Sequence, residues 1–308
     1  MIQIENITLL NKNNLAGENK LEVLKNYGLQ CELTDLAIIT GAIDRDIFYN
    51  LDTPYQLTSE FSPKITIIDN HGNLKETTNN VLPNGIIRPV IKLKEEVPFY
   101  LNDGIPETIY GVIPQFSAST FLTKSLENAL NQGTIEKTAK NYYLFTDKKN
   151  SNKLIPTPEY IYKGKKYIRV STYKNHILSK GKIYKYGNPI WLKVSPIVWL
   201  YDQKTNTLIS KLGLLSGINY SNDKTKNFET SNIYNLLNHF NTFIKEDTTP
   251  HFSLNSLIDQ INNQDLKRAS LNDLKTNRQN LKLLKHALDL ELQITDEEIE
   301  QYYNDIAI

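Results

Sequence analysis

The sequence predicts an α+β fold. Three observations carry this reading. Short stretches of alternating apolar and polar residues recur through residues 1–246, amphipathic helical stretches interrupt them, and the pattern from 247 onward is helical. The chain thus divides into an α+β body, 1–246, and a helical C-terminal segment, 247–308.

Ile2 to Leu10 alternates through Ile2, Ile4, Asn6 and Thr8, and reads as a strand. Lys20 to Tyr27 is a short helix stopped by Gly28. Leu33 to Gly41 is a second helix, with Thr34 as N-cap and Gly41 just past its end. Strands follow at Tyr55–Ser59, Lys64–Asp69 and Ile86–Leu93, and Asp69-Asn70-His71-Gly72 supplies a hairpin turn. Ser117 to Asn131 is an amphipathic helix closed by Gly133. Residues 137–194 are rich in aromatic and β-branched side chains and read as strands, with turns at Lys163-Gly164 and Tyr186-Gly187-Asn188-Pro189. Val194–Tyr201 and Leu208–Ser210 form a hairpin across Asp202–Thr207, and Ser231 to Ile244 is a helix. In the tail, Ser253, Ser270 and Thr295 each open a helical run, and Thr295-x-x-Glu298 is a capping box. Leu271, Leu274, Leu281, Leu284 and Leu288 form its apolar stripe.

Composition narrows the class. The chain has 308 residues, is 40% hydrophobic and 22% charged, and carries a net charge of +1. That suits a packed core and gives no whole-molecule electrostatic instruction. Cys31 is the only cysteine, which rules out an internal disulfide and argues against a cysteine zinc site. With nothing gained from an oxidising compartment, a cytoplasmic location is expected. Met1 to Asn6 lacks a signal-peptide pattern, and no apolar run is long enough to span a membrane. Heavy use of Asn, Lys and Ile suits the AT-rich genome of a low-GC bacterium or its phage.

Two blocks of motifs stand in an unusual order. Leu33-Thr34-Asp35-Leu36-Ala37, Tyr55-Gln56-Leu57-Thr58-Ser59, Asn70-His71-Gly72 and Gly85-Ile86-Ile87-Arg88-Pro89-Val90 come first. Ser195-Pro196-Ile197-Val198-Trp199-Leu200-Tyr201-Asp202, Leu208-Ile209-Ser210 and Ser231 to Asn238 follow. These segments resemble a broad family of bacterial and phage C-type-lectin-fold domains related to formylglycine-generating enzymes. In that family the P-I-x-W-x-V-x-D and L-I-S segments come early, and the W-L-x-S and G-V-R-P-A-L segments come late. Here the late block occupies 1–96 and the early block 97–246. The resemblance implies a circularly permuted C-type-lectin-like domain, a change tolerated where termini lie close together. Departures are Tyr55 or Leu57 at the usual Trp, and Leu236-Leu237-Asn238 for Trp-Leu-Asn. Arg88, Pro89 and Trp199 are then expected to be structural, with Arg88 tying loop carbonyls together.

The residues point away from catalysis. Formylglycine-generating enzymes need paired cysteines, and one is present. Calcium-dependent lectins use E-P-N or Q-P-D with W-N-D, and none of these triplets occurs, so calcium-dependent sugar binding is not expected. The histidines, His71, His176, His239, His251 and His286, are scattered without ligand spacing. Walker A, G-x-G-x-x-G and G-x-S-x-G patterns are missing, and no carboxylate pair stands out. No cofactor or metal is expected.

Three segments suit binding. In relatives diversified by retroelements, ligand-contacting residues precede the G-x-R-P strand. The matching residues are Phe61, Asp69, Asn70, His71, Asn73, Lys75, Thr77, Asn79 and Asn80. Polar side chains on a rigid sheet suit hydrogen-bonded recognition, although a solvated hairpin has the same composition. The second segment, Lys137 to Tyr186, holds 13 Lys/Arg and two acids, with tyrosines interleaved. Lys163, Lys165, Lys166, Tyr167 and Arg169 would contact nucleic acid there, through phosphate neutralisation and base stacking. Lysines protecting exposed strand edges are the plainer explanation. The third is the tail: Lys267 to Lys285 carries six basic residues and one acid, and from Asp289 there are seven acids and no Lys or Arg. Helices of opposite sign would pack on each other or on a partner. The expected function is recognition of another protein, as an adaptor to a larger machine such as the AAA+ modules joined to some relatives, or as a phage inhibitor of a host defence complex. Nucleic-acid binding through 137–186 is the alternative.

Overall fold

In the computed structural model, the described residues are 3–16, 20–42, 55–61, 64–69, 73–78, 85–147, 150–171, 176–178, 183–185, 187–220 and 227–246. Strand β1 (Ile4–Thr8) leads to helices α1 (Lys12–Ala16), α2 (Val23–Tyr27) and α3 (Asp35–Ala37), the last continued by a π turn over Ile38–Ala42. Next come β2 (Tyr55–Phe61), β3 (Ile65–Ile68), β4 (Leu74–Thr77), β5 (Gly85–Ile86), β6 (Val90–Leu93), β7 (Tyr100–Asn102) and β8 (Ile105–Ser117). Helix α4 (Thr120–Asn131) precedes β9 (Glu136–Asp147), β10 (Asn150–Tyr162), β11 (Lys165–Ser171), β12 (His176–Ile177) and β13 (Ile183–Tyr184). Strands β14 (Pro189–Asp202) and β15 (Thr207–Ser210) and helix α5 (Asn232–Glu246) complete the series. The fold is mixed α+β and strand-rich.

Strand β14 organises the large sheet. One edge pairs with β8 across residues 192–200. The opposite edge serves β11 along its first half and β15 along its second. From β11 the sheet continues through β10 to β9, and from β15 through β6 to β1. A separate four-stranded sheet runs β4-β3-β2-β5, with β2 and β5 parallel.

Alternation along β14 gives each face a partner. Ile190, Leu192, Ile197, Trp199 and Tyr201 join the main core with Leu236, Phe240 and Ile244 of α5. Trp191 faces the other way, against Leu122, Leu126 and Leu130 of α4. Leu200, Ile209 and Val90 pack on Leu21, Val23 and Leu24 around α2. Trp199 is fully buried and donates its Nε1–H to the Tyr110 carbonyl at 2.7 Å.

Several expectations change in detail. Thr34 caps α3 by accepting from Ala37 N at 3.1 Å, but the α-helix is short and Gly41 (φ 129°) lies inside the π turn that continues it. Helix α4 starts at Thr120 with Ser119 as N-cap, because Ser117 belongs to β8. The β7–β8 hairpin has no counterpart in the sequence reading. Its long strand carries Pro106, Gly111 and Pro114, which break alternation. Pro114 sits at a register shift opposite Lys193 and Val194, where a missing N–H is tolerated. Gly111 has φ 71°, and a Cβ there would lie 2.7 Å from Ile244 Cγ2, so only glycine lets α5 approach. Helix α1 is likewise absent from the sequence reading. The helical tail, 247–308, lies outside the described residues.

Candidate functional site

The small sheet holds the first set of candidate residues. In β3, Ile65 and Ile68 are buried, and Leu57 of β2 is buried beside them. Ile65 and Leu57 join the main core, and Ile68 joins the cluster around α2, so the inner strands are clamped on both faces. The outer strand β4 is different: Leu74, Lys75 and Glu76, with Asn73 just before them, are all exposed.

Asp69 ties the end of β3 to the start of β4. Its Oδ1 accepts from Asn73 N at 2.8 Å, its backbone N–H donates to Asn73 O at 2.9 Å, and its Oδ2 pairs with Lys75 Nζ at 2.9 Å. Asp69, Asn73 and Lys75 therefore meet at one end of the hairpin. Phe61 and Thr77 each pair with Ile65 at the other end. Asn70, His71, Asn79 and Asn80, and the side chain of Phe61, lie outside the described residues. Beside β4, Lys12 reaches Glu60 and Glu76 at 3.5 and 3.4 Å, and Lys64 reaches Glu76 at 3.5 Å. These pairs are solvent-facing and hold the strand only weakly.

The second set divides differently. Tyr167 is buried against Trp191 and α4, and Tyr160 packs edge-on to Trp191 with centroids 5.3 Å apart. Tyr142 is buried, and its hydroxyl donates to Glu159 Oε2 at 2.9 Å. Tyr143 stacks on His239 of α5 at 5.1 Å. Arg169 is held by Glu127 of α4, Nε to Oε1 at 2.7 Å and Nη2 to Oε2 at 3.0 Å. Glu127 Oε1 also accepts from Trp191 Nε1 at 2.6 Å. The bond from Arg169, aided by that from Trp191, holds the Glu127 carboxyl below its usual range.

Three lysines stay at the surface of the β10–β11 turn. Lys163 (φ 48°) and Gly164 (φ 76°) make the two-residue turn, and Lys163 Nζ lies 5.7 Å over the Tyr162 ring. Lys165 is half-buried beside Tyr162 across the hairpin. Lys166 is half-exposed, with Nζ 4.0 Å from buried Glu159.

Of the expected structural residues, Arg88 and Pro89 lie at the seam between the sheets. Buried Arg88 donates from Nε to Ser210 O at 2.8 Å and from Nη1 to Leu29 O at 3.1 Å. Burial lowers its pKa, and the Tyr27 ring lies 5.8 Å from its Cζ. The Pro89 carbonyl accepts from Ser210 N at 3.0 Å. Nearby, buried Glu107 accepts from Lys211 Nζ at 2.7 Å, Tyr100 Oη at 3.1 Å and Asn102 Nδ2 at 3.2 Å.

Sequence reading missed Glu107, Glu127 and Glu159. Glu127 carried one usable signal: it adjoins the Leu122-Leu126-Leu130 stripe on α4, a position where a carboxylate reaches a neighbouring strand. Glu107 and Glu159 lay in strands whose prolines hide the alternation. Among the described residues, no three His, Cys, Asp or Glu side chains are grouped to hold a metal ion, and no helix is long and apolar enough to cross a membrane. In comparisons with known proteins, the chain matches no family model, no curated protein and no solved structure.

Proposed function

We propose that this chain is a non-enzymatic recognition protein on a circularly permuted C-type-lectin-like scaffold, and that it binds another protein through the β3–β4 turn and strand β4. The carrying observation is the contrast inside the small sheet. Leu57, Ile65 and Ile68 are buried, while Asn73, Leu74, Lys75 and Glu76 are exposed on the strand they support. A polar edge on a fixed base gives hydrogen-bonding groups at low ordering cost.

The pairing of the two blocks supports the scaffold. Strand β6 of the late block pairs with β15 of the early block, Leu208 opposite Ile91 and Ile209 opposite Val90. Asp202, which ends the early-block strand, accepts from Val23 N at 3.0 Å and so fastens α2 to it. The missing calcium triplets favour a protein ligand over a sugar. Adaptor to a larger assembly and inhibitor of a defence complex, each acting in the cytoplasm, are the two forms of this proposal.

The test is affinity purification of the tagged full chain from its native host, with and without nuclease, beside the variant Asn73→Ala/Lys75→Glu. The expected result is a stoichiometric protein partner that survives nuclease and is lost with the variant. Recovery of nucleic acid, with partners lost on digestion, would overturn the proposal in favour of the basic hairpin. A partner retained in full by the variant would remove β4 from the interface.

A further inference from the structure

A buried guanidinium with no carboxylate paired to it among the described residues marks a second site, independent of the recognition reading. Arg88 is 1% exposed and Gln56 is 5% exposed. Both donate to the same acceptor, the Leu29 carbonyl oxygen, Arg88 through Nη1 and Gln56 through Nε2. Among the described residues, one polar atom on each side chain is buried without a hydrogen-bond partner, Arg88 Nη2 and Gln56 Oε1.

The amide cannot be turned to remove the mismatch. Leu29 O only accepts, so Nε2 must face it and Oε1 is the atom left over. The guanidinium stays protonated, so Nη2 always has hydrogens to donate. Two side chains, one with a buried donor to spare and one with a buried acceptor to spare, thus share one carbonyl oxygen. Leaving both unmatched is unfavourable, the more so for the charged group, and such atoms are normally satisfied.

We propose that one ordered water molecule bridges Arg88 Nη2 and Gln56 Oε1. The site calls for a species that accepts from nitrogen and donates to oxygen. Chloride or a carboxylate accepts from Nη2 but repels Oε1. An ammonium ion or metal cation suits Oε1 but is repelled by Arg88. Water is the small ligand that does both. The site lies where three parts of the fold meet: Gln56 is on β2 of the small sheet, Leu29 follows α2, and Arg88 joins β5 to β6 and reaches the end of β15. The water therefore fastens the small sheet to the large one.

The experiment is a crystal structure of the full chain at a resolution that shows ordered water, from crystals soaked in bromide, together with melting curves in chloride and gluconate at equal ionic strength. We expect one density peak within hydrogen-bonding distance of both atoms, no anomalous bromide signal there, and the same Tm in both salts. An anomalous peak, or a Tm that rises with chloride, would assign the site to an anion and overturn the proposal. Direct contact between Nη2 and Oε1 with no intervening density would overturn it as well.

Discussion

The small sheet and the β9–β11 arm use polar and aromatic residues in opposite ways. The arm has the composition of a binding surface, yet Tyr142 and Tyr167 are buried, Tyr160 packs on Trp191, and Arg169 is gripped by Glu127. The small sheet has the less distinctive composition, but exposes Asn73, Leu74, Lys75 and Glu76 along one strand. Residue type suggests stacking and phosphate contacts in the arm. Register and burial remove them, because stacking needs an open ring face and recognition by arginine needs an open fork.

The sharpest break in this comparison removes the support common to both regions. Trp199→Ala empties a fully buried site and removes the indole hydrogen bond to the Tyr110 carbonyl. We expect a loss of about 3–5 kcal/mol in urea unfolding. Glu127→Ala tests the arm alone. It frees Arg169 and strands Trp191 Nε1, with an expected loss of about 1–3 kcal/mol in the same assay.

The same carboxylate sets a pH signature. Its pKa is lower folded than unfolded, so its stabilisation is complete above the unfolded value of about 4.3. It fades as pH falls through the lowered folded value. The stability gap between the natural chain and Glu127→Gln should narrow over that acid range and stay constant above it. A gap that widens towards acid pH would refute the pairing.

Smaller changes separate the turns. Gly164→Ala places a side chain at φ 76° and should lower stability by about 1 kcal/mol, seen as a reduced Tm. Lys75→Ala removes an exposed pair to Asp69 and should change stability by less than about 0.5 kcal/mol. Its expected effect is on partner binding, measured by titration against the captured partner.

Local chemistry was readable where one short segment decides the outcome. Thr34 caps α3, Lys163-Gly164 turns β10 into β11, and β14 returns as β15 around Asp202. The boundaries of α3 and β8 were not readable, because a π turn and a pair of prolines disrupt the periodicities from which they would be inferred. The antiparallel return of β3 to β4 was readable, but the ion pair of Asp69 with Lys75 depends on strand register. Glu127 and Arg169 are 42 residues apart, and no local pattern predicts that one cancels the other. Arg88 was expected to hold carbonyls, whereas its shared acceptor with Gln56 required the two sheets to be seen together.

The most direct test is hydrogen–deuterium exchange of the full chain with and without the captured partner. Recognition through the small sheet predicts slowed exchange in peptides covering 69–77, with 160–170 unchanged. Protection confined to 160–170 would contradict it and place the interface on the basic hairpin.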